Sequence, residues 1–254
     1  MPPRPRPTVV LLSAPGTLEG VDPLLRRAGV RAVRLASQEA RAVDRSHWLE
    51  RLARAPKPDT VVVTSRTGVE FGVRPWRKVS RRIIPVPEFW AVGPGTAQAL
   101  RRAGLRRVHR PSTVGASAVA AALDRRRPRM VVYFRSDRAG PGLARALRDR
   151  GHSVVDLVVY RLEAPAPLSA RDRRELARAK LLVVTSPSGL SELRRRLEGR
   201  AFLRMRETTR LVLLGERSRR AARAHGFRSL SVAPSTTAQR FTQHLLRELR
   251  DARS

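Results

Sequence analysis

The most constraining feature of this 254-residue chain is an internal repeat, in which similar segments recur about 122 residues apart. Residues 61–65 resemble residues 182–186, since both are apolar runs that end in Thr-Ser. Gly93 and Gly215 also occupy matching positions, 122 residues apart. Solenoid repeats have periods of roughly 20–50 residues, so this longer period indicates two similar domains. Two facing domains would form a cleft, the kind of place in which small ligands bind.

Short apolar runs alternate with helix-like segments along the chain. The strand candidates are residues 9–13, 61–64, 90–92, 130–134, 154–160, 181–184 and 211–214. Several are apolar at consecutive positions, which is typical of strands buried on both faces of a parallel sheet. Glycines follow several runs of helix-forming residues, at the position where a helix often ends in a residue of left-handed conformation. These glycines are Gly29, Gly104, Gly151 and Gly226. The pattern predicts an α/β protein with parallel sheets.

The formal net charge of +32 would suit an anionic partner. Only three of the 53 basic residues are lysines, however, and the chain contains no asparagine. Because Lys and Asn have AT-rich codons, codon bias is a sufficient explanation for much of the arginine excess. The arginines are also spread along the whole chain instead of forming one patch. We therefore expect an anionic partner, but no specific nucleic acid.

Composition also limits the chemistry and the location. The absence of cysteine excludes disulfide bonds and thiol catalysis. No window approaches the roughly 20 apolar residues of a membrane span, so no membrane partner is predicted. The five histidines share no ligand spacing, and we predict no metal site. A cytoplasmic location is expected by default.

Polar residues and glycines cluster just after the predicted strands. Those predicted to hold a substrate are Thr64, Ser65, Gly93, Thr96, Arg135, Ser136, Thr185, Ser186 and Ser218. In parallel sheets such positions lie at the carboxyl edge, where helix N-termini offer free amides and partial positive charge. Each hydroxyl taken alone is better explained as a simple N-cap. Their recurrence in both halves favours a shared rim that binds anions.

Motifs for nucleotide cofactors are weak in this chain. Gly93 and Gly95 resemble the start of a dinucleotide fingerprint, but Gln98 occupies the third glycine position. Residues 13–17 could form a flavin-phosphate loop, yet their spacing is unspecific and few aromatic residues are available to hold a flavin. No Walker loop or Gly-x-Ser-x-Gly nucleophile motif occurs. We expect no cofactor, and an enzyme of this sequence would act through positioning and electrostatics.

Tyr160 is the candidate for acid–base chemistry. It ends the apolar run of residues 154–160, next to Arg161 and close to a Pro-containing connection at residues 163–167. A phenol at this place could donate a proton or a hydrogen bond to a bound substrate. Its spacing is equally compatible with a packing role.

Taken in order, these motifs resemble the uroporphyrinogen-III synthase family. The resemblance rests on residues 61–71, 91–105, 130–161, 182–190 and 213–226. It implies two flavodoxin-like α/β domains with parallel sheets and a cleft between them, joined by a two-stranded connection. Residues 1–37 and 164–254 would form one discontinuous domain, and residues 38–163 the inserted one.

The resemblance also implies a reaction. A synthase of this family is a cyclising lyase that uses no cofactor. It converts hydroxymethylbilane, a linear tetrapyrrole with many carboxylates, to uroporphyrinogen III, with elimination of water and inversion of the last pyrrole ring. Tyr160 would be the catalytic residue that assists departure of the hydroxyl, and the rim would hold carboxylates.

Partners follow from the same resemblance, and two other functions stay open. The expected partners are the tetrapyrrole substrate and the upstream hydroxymethylbilane synthase, and we expect the chain to be a monomer. The first alternative is a catalytically degenerate binding module of the same fold, which holds an anionic ligand. The second is a protein that associates with nucleic acid through its charge, which would require binding that weakens steeply with salt.

Overall fold

The structure is a computed structural model that describes residues 6–80, 86–113, 115–123, 127–197, 199–235 and 237–252. The chain divides into two compact units. Unit 1 comprises Met1–Glu39 and Ala164–Ser254, and unit 2 comprises Ala40–Glu163. Each unit is an α/β structure built on its own sheet, so the predicted fold class is confirmed.

Several of the strands are buried at every position. They are β1 (Thr8–Ser13), β2 (Arg31–Ala36), β3 (Glu39–Ala42), β4 (Thr60–Val63), β5 (Glu88–Ala91), β6 (Val108–His109), β7 (Met130–Ser136), β8 (Ser153–Glu163), β9 (Leu181–Val184), β10 (Arg210–Leu213) and β11 (Leu230–Val232). All seven predicted strands are present among them.

The helices are α1 (Val21–Arg27), α2 (Arg45–Arg54), α3 (Arg66–Gly68), α4 (Arg74–Val79), α5 (Pro94–Arg102), α6 (Ala116–Ala122), α7 (Gly142–Arg148), α8 (Ala170–Arg178), α9 (Pro187–Arg196), α10 (Gly199–Thr208), α11 (Glu216–Ala224) and α12 (Ala238–Asp251). A π-helical segment, Val69–Val73, joins α3 to α4. The four glycines expected to end helices have φ between 73° and 85°, as predicted.

The sheet of unit 1 has the order β11-β10-β9-β1-β2, and all its recorded pairs are parallel. Numbered within the unit, this order is 2-1-3-4-5, as in flavodoxin-like sheets. Helices α8 to α11 supply the core on one face, and α1 and α12 supply it on the other. Apolar layers on both faces explain why β1 and β9 are continuous apolar runs.

The sheet of unit 2 has the order β3-β8-β7-β4-β5-β6. Apart from the added edge strand β3, this order repeats that of unit 1, with β7, β8, β4, β5 and β6 in the places of β1, β2, β9, β10 and β11. Helices α2 to α5 cover one face, and α6 and α7 cover the other. The repeat in the sequence is therefore also a repeat of sheet order.

A β-bulge interrupts the pairing of β7 with β8. Arg135 pairs with Val158, but the next residue, Ser136, pairs with Tyr160, so one residue of β8 is skipped. As a result Val159 and Tyr160 are both buried in the same core, although neighbouring strand residues ordinarily point to opposite faces. The bulge thus sets the face on which Tyr160 lies.

Candidate functional site

The carboxyl edge of the unit 2 sheet brings together the predicted site residues of that half. We call the group Thr64, Ser65, Gly93, Thr96, Ser136 and Tyr160 the unit 2 rim. Thr64 and Ser65 follow β4, Gly93 and Thr96 follow β5, and Ser136 ends β7. Because β5, β4 and β7 are neighbouring parallel strands, their ends share one edge of the sheet.

Ser65 links a helix start to the candidate acid. Its Oγ accepts a hydrogen bond of 2.9 Å from the amide of Gly68, so Ser65 is the N-cap of α3. The same Oγ lies 2.9 Å from the hydroxyl oxygen of Tyr160. The N-cap explanation and the functional one are thus compatible, because a single hydroxyl makes both contacts.

Tyr160 is held in place on several sides. Its residue is only 5% exposed, and its ring lies 6.1 Å from that of Phe71. The bulge places it opposite Ser136, which is itself buried. The phenol ring therefore packs in the core while its hydroxyl contacts the rim, so the packing role and the polar role occur together.

The other tyrosine is less suited to proton transfer. Tyr133 is 1% exposed and packs in the core on the opposite face of the sheet. Burial raises the pKa of its phenol, and a hydrogen bond with Thr64 opposes this rise only in part. A phenol with a raised pKa gives up its proton less readily, which argues against Tyr133 as the proton donor.

Arg135 lies at this edge, but each nitrogen of its guanidinium already donates one hydrogen bond. Its Nε and Nη2 donate to the two carboxylate oxygens of Asp156, at 2.6 and 3.1 Å, and its Nη1 donates to the carbonyl of Ser136. The hydrogen bond with Asp156 raises the pKa of Arg135. In this arrangement Arg135 ties β7 to β8, and its predicted contact with a substrate stays a prediction.

A second arginine at the rim was not anticipated from the sequence. The guanidinium of Arg66 lies against Gly95 in the first turn of α5, where an added Cβ would be only 2.4 Å from its Nη2. Thr96, one residue further along the helix, is buried. The absence of a side chain at Gly95 therefore leaves room for a cation beside a helix N-terminus, a favourable combination for carboxylates.

Unit 1 carries an equivalent group at the carboxyl edge of its sheet, formed by Thr185, Ser186 and Ser218, which we call the unit 1 rim. Ser186 is the N-cap of α9, and its Oγ accepts from the amide of Gly189 at 3.1 Å. Ser218 is buried and donates to the carbonyl of Leu214 at 3.3 Å. The hydroxyl of Thr185 donates to the carbonyl of Leu12, so all three side chains have a backbone partner.

Two further residues shape the unit 1 rim. Ser37 follows β2 and is 2% exposed, and within the described residues its Oγ has no hydrogen-bond partner. It packs against Gly189, since a Cβ added there would lie 3.1 Å from the Cβ of Ser37. Arg34 donates to the carbonyls of Thr17 and Leu18, which fixes the loop that follows β1. Neither residue stands in a recognisable motif.

The two rims support a limited chemistry. Helices α3, α5, α9 and α11 begin at them, and helix N-termini with arginine nearby bind carboxylates or phosphates. Only the unit 2 rim adds a phenol hydroxyl that can donate a proton. Within the residues that the structure describes, no cluster of three or more His, Asp or Glu could hold a metal ion. No helix in this part of the chain is long and apolar enough to span a membrane.

Comparison with known proteins identifies what this architecture resembles. A family profile described as uroporphyrinogen-III synthase HemD matches residues 20–243. A uroporphyrinogen-III synthetase from Helicobacter pylori is similar in fold, with a TM-score of 0.61 and 16% identity over 97% of this chain and 100% of that one. A mutant uroporphyrinogen III synthase from Thermus thermophilus gives a TM-score of 0.57 and 20% identity over 96% of this chain and 99% of that one. No curated protein sequence matches significantly.

Proposed function

The chain belongs to the uroporphyrinogen-III synthase family, and from this premise we propose that it is a cyclising lyase of tetrapyrrole biosynthesis. Its substrate would be hydroxymethylbilane, and its product uroporphyrinogen III. The observation that carries the proposal is the extent of the family match, because residues 20–243 include both rims and Tyr160.

In the proposed reaction, the terminal hydroxyl of the substrate leaves first. Tyr160 donates its phenol proton to that oxygen, the carbon–oxygen bond breaks, and water departs. The last pyrrole ring then inverts through a spiro intermediate, and ring closure releases the proton that balances the one donated. Ser65 supports this step, since its hydroxyl can donate to the phenolate oxygen once the proton has gone.

Substrate binding in this proposal is electrostatic. The carboxylates of a linear tetrapyrrole would accept hydrogen bonds from amides at the helix N-termini of the two rims. Arg66 beside Gly95 would add a charge-assisted contact in unit 2. We propose no cofactor, and the upstream hydroxymethylbilane synthase is the proposed protein partner because it supplies the substrate.

A coupled assay tests this proposal. Hydroxymethylbilane is generated enzymatically, this protein is added, the products are oxidised, and the uroporphyrin isomers are separated by chromatography. Spontaneous closure gives isomer I, so a dominant isomer III would establish synthase activity. Isomer I alone, from protein shown to be folded by circular dichroism, would instead favour the binding module without catalysis.

The role of Tyr160 needs its own comparison. General acid catalysis contributes about 10²–10⁴-fold, so Tyr160→Phe should lower kcat by at least tenfold. Tyr133→Phe removes the same atom from a phenol in the opposite core layer, together with its hydrogen bond to Thr64 of the unit 2 rim, so it should change KM while kcat stays within about threefold of wild type. Equal losses in both variants would remove Tyr160 from its proposed role.

A further inference from the structure

Unit 1 contains a cavity of about 360 Å³ that shares no lining residue with either rim. Four arginines line it, Arg173 on α8, Arg196 at the end of α9, and Arg200 and Arg204 on α10. Leu176 and Met205 contribute apolar walls. We call this site the arginine cavity. Its volume falls in the range of small-molecule sites, which is roughly 300–1,000 Å³.

Arg196 is the most informative residue of the arginine cavity. Its Nη1 donates to the carbonyl of Ala36 at 2.8 Å, which fixes one end of the guanidinium. Its Nε is shielded from solvent and, within the part of the chain that the structure describes, has no acceptor. Burial also lowers the pKa of this group. A donor that is shielded from solvent is also out of reach of a ligand in the cavity, so Arg196 would contribute to the site through its charge.

The other arginines add to the positive field of the cavity. Arg200 and Arg204 lie one turn apart on α10, where like charges repel each other, and both residues are exposed. Neither guanidinium makes a hydrogen bond or ion pair with another described residue. None of the described lining residues is acidic, and the carboxylates of Glu192, Asp172 and Glu39 act on Arg196 from outside the lining.

We propose that the arginine cavity binds a small organic anion with a compact apolar frame that carries a phosphate or carboxylate group. The guanidinium groups would pair with the acidic oxygens, because arginine binds both groups through paired N–H donors. Leu176 and Met205 would contact the apolar frame. This site is separate from the rims, and the proposal does not rest on the catalytic one.

Calorimetric titration tests the proposal with three probes. 1-Naphthyl phosphate and 1-naphthoate each carry an apolar frame with one acidic group, whereas inorganic phosphate has no frame. Naphthyl phosphate or naphthoate should bind wild-type protein with one equivalent, and the tighter of the two identifies the acidic group that the cavity prefers. Absence of binding by both, or equally tight binding of inorganic phosphate, would overturn the proposal, because charge alone would then explain the data.

Variants locate the binding. A hydrogen bond to a charged group contributes about 1.5–3 kcal/mol, so Arg200→Met and Arg196→Met should each weaken binding by at least about tenfold. The matched control is Arg178→Met, which changes an exposed arginine of α8 outside the cavity and should leave the affinity unchanged. Arg196→Met loses its bond to Ala36, so if it fails to fold, exposed Arg200 decides the outcome. Unchanged affinity in Arg200→Met, or an equal loss in the control, would contradict the proposal.

Discussion

The hydroxyl oxygen of Tyr160 lies 2.9 Å from Oγ of Ser65, and that Oγ also accepts a bond from the amide of Gly68. The helix start and the candidate acid are therefore coupled through one atom. A change at Ser65 alters both the stability of α3 and the environment of the phenol. These two effects can be separated, because Ser186 caps α9 in the same way without contacting a tyrosine.

We expect Ser65→Ala and Ser186→Ala to destabilise the protein by similar amounts, about 1 kcal/mol each, because each removes an N-cap side chain. Only Ser65→Ala should also lower kcat through the phenol. In the double variant with Tyr160→Phe, the effects on kcat should be less than additive, because the two hydroxyls act as a pair. Urea unfolding and the isomer III assay measure the two properties, and additive effects on kcat would separate Ser65 from the proton transfer.

Gly95→Ala is expected to displace Arg66, because the new Cβ would lie 2.4 Å from its Nη2. The guanidinium is the end of a flexible side chain, so the free energy of unfolding should stay within about 1 kcal/mol of wild type. The KM for hydroxymethylbilane should rise severalfold, as it should in Arg66→Met. Gly142→Ala is the control, since an added Cβ there meets nothing within 4 Å. An unchanged KM in Gly95→Ala would place Arg66 outside the binding site.

The ion pair of Arg135 and Asp156 should matter for stability. Both side chains are largely buried, with 14% and 13% exposed, and they share two hydrogen bonds. Arg135→Met leaves a largely buried carboxylate without its partner, so we expect a loss of about 3 kcal/mol in urea unfolding. Adding Asp156→Leu should restore part of this loss, because the unpaired charge is then removed. No recovery in the double variant would show that the pair itself supplies net stability.

A fall in pH should lower the stability of unit 1 through protonation of Glu248. Burial alone would raise the pKa of this carboxyl, but hydrogen bonds from Ser231 and Arg210, with the charges of Arg210 and His244, lower it overall. A folded-state pKa below the unfolded value of about 4.3 means that the stabilisation is present above that pH. It is lost as the pH falls through the folded value.

The comparison that checks this is Glu248→Gln against wild type. The difference in urea midpoint should be largest near neutral pH and should shrink as the pH falls below about 4.3. Glu50→Gln serves as the control, because Glu50 is exposed and lies 3.9 Å from Arg54. A difference between wild type and Glu248→Gln that does not change with pH would show that ionisation of Glu248 does not contribute.

The sequence was sufficient for the strands that are buried on both faces. β1, β4 and β9 are continuous apolar runs because helices cover both sides of their sheets. It did not reveal β2 or β3, whose arginines and glutamate lie at sheet edges where burial is partial. It also missed β6 and β11, which have two and three residues and no fully buried stretch.

The candidate site was predictable only as far as strand order places residues together. The ends of neighbouring parallel strands must share an edge, so the grouping of Ser65, Thr96 and Ser136 followed from the pattern. Contacts that depend on the length and direction of a side chain could not be predicted from this pattern, such as those of Arg66 with Gly95 and of Arg135 with Asp156. The contact of Tyr160 with Ser65 was not predicted either, because it requires a β-bulge that the amino-acid composition does not indicate.

That bulge affects how Tyr160 should be compared between related chains. Along β8, Val155, Leu157 and Val159 face one core layer, and after the skipped residue Tyr160 and Leu162 face it too. The alternation is out of phase by one residue on either side of the bulge. Suppose that two related chains both have a tyrosine at this position, but that one lacks the extra residue earlier in the strand. Their phenols would then lie on opposite faces of the sheet. In an alignment of this strand, the position of a gap therefore matters as much as the identity of the residues, because the gap decides on which face the tyrosine lies.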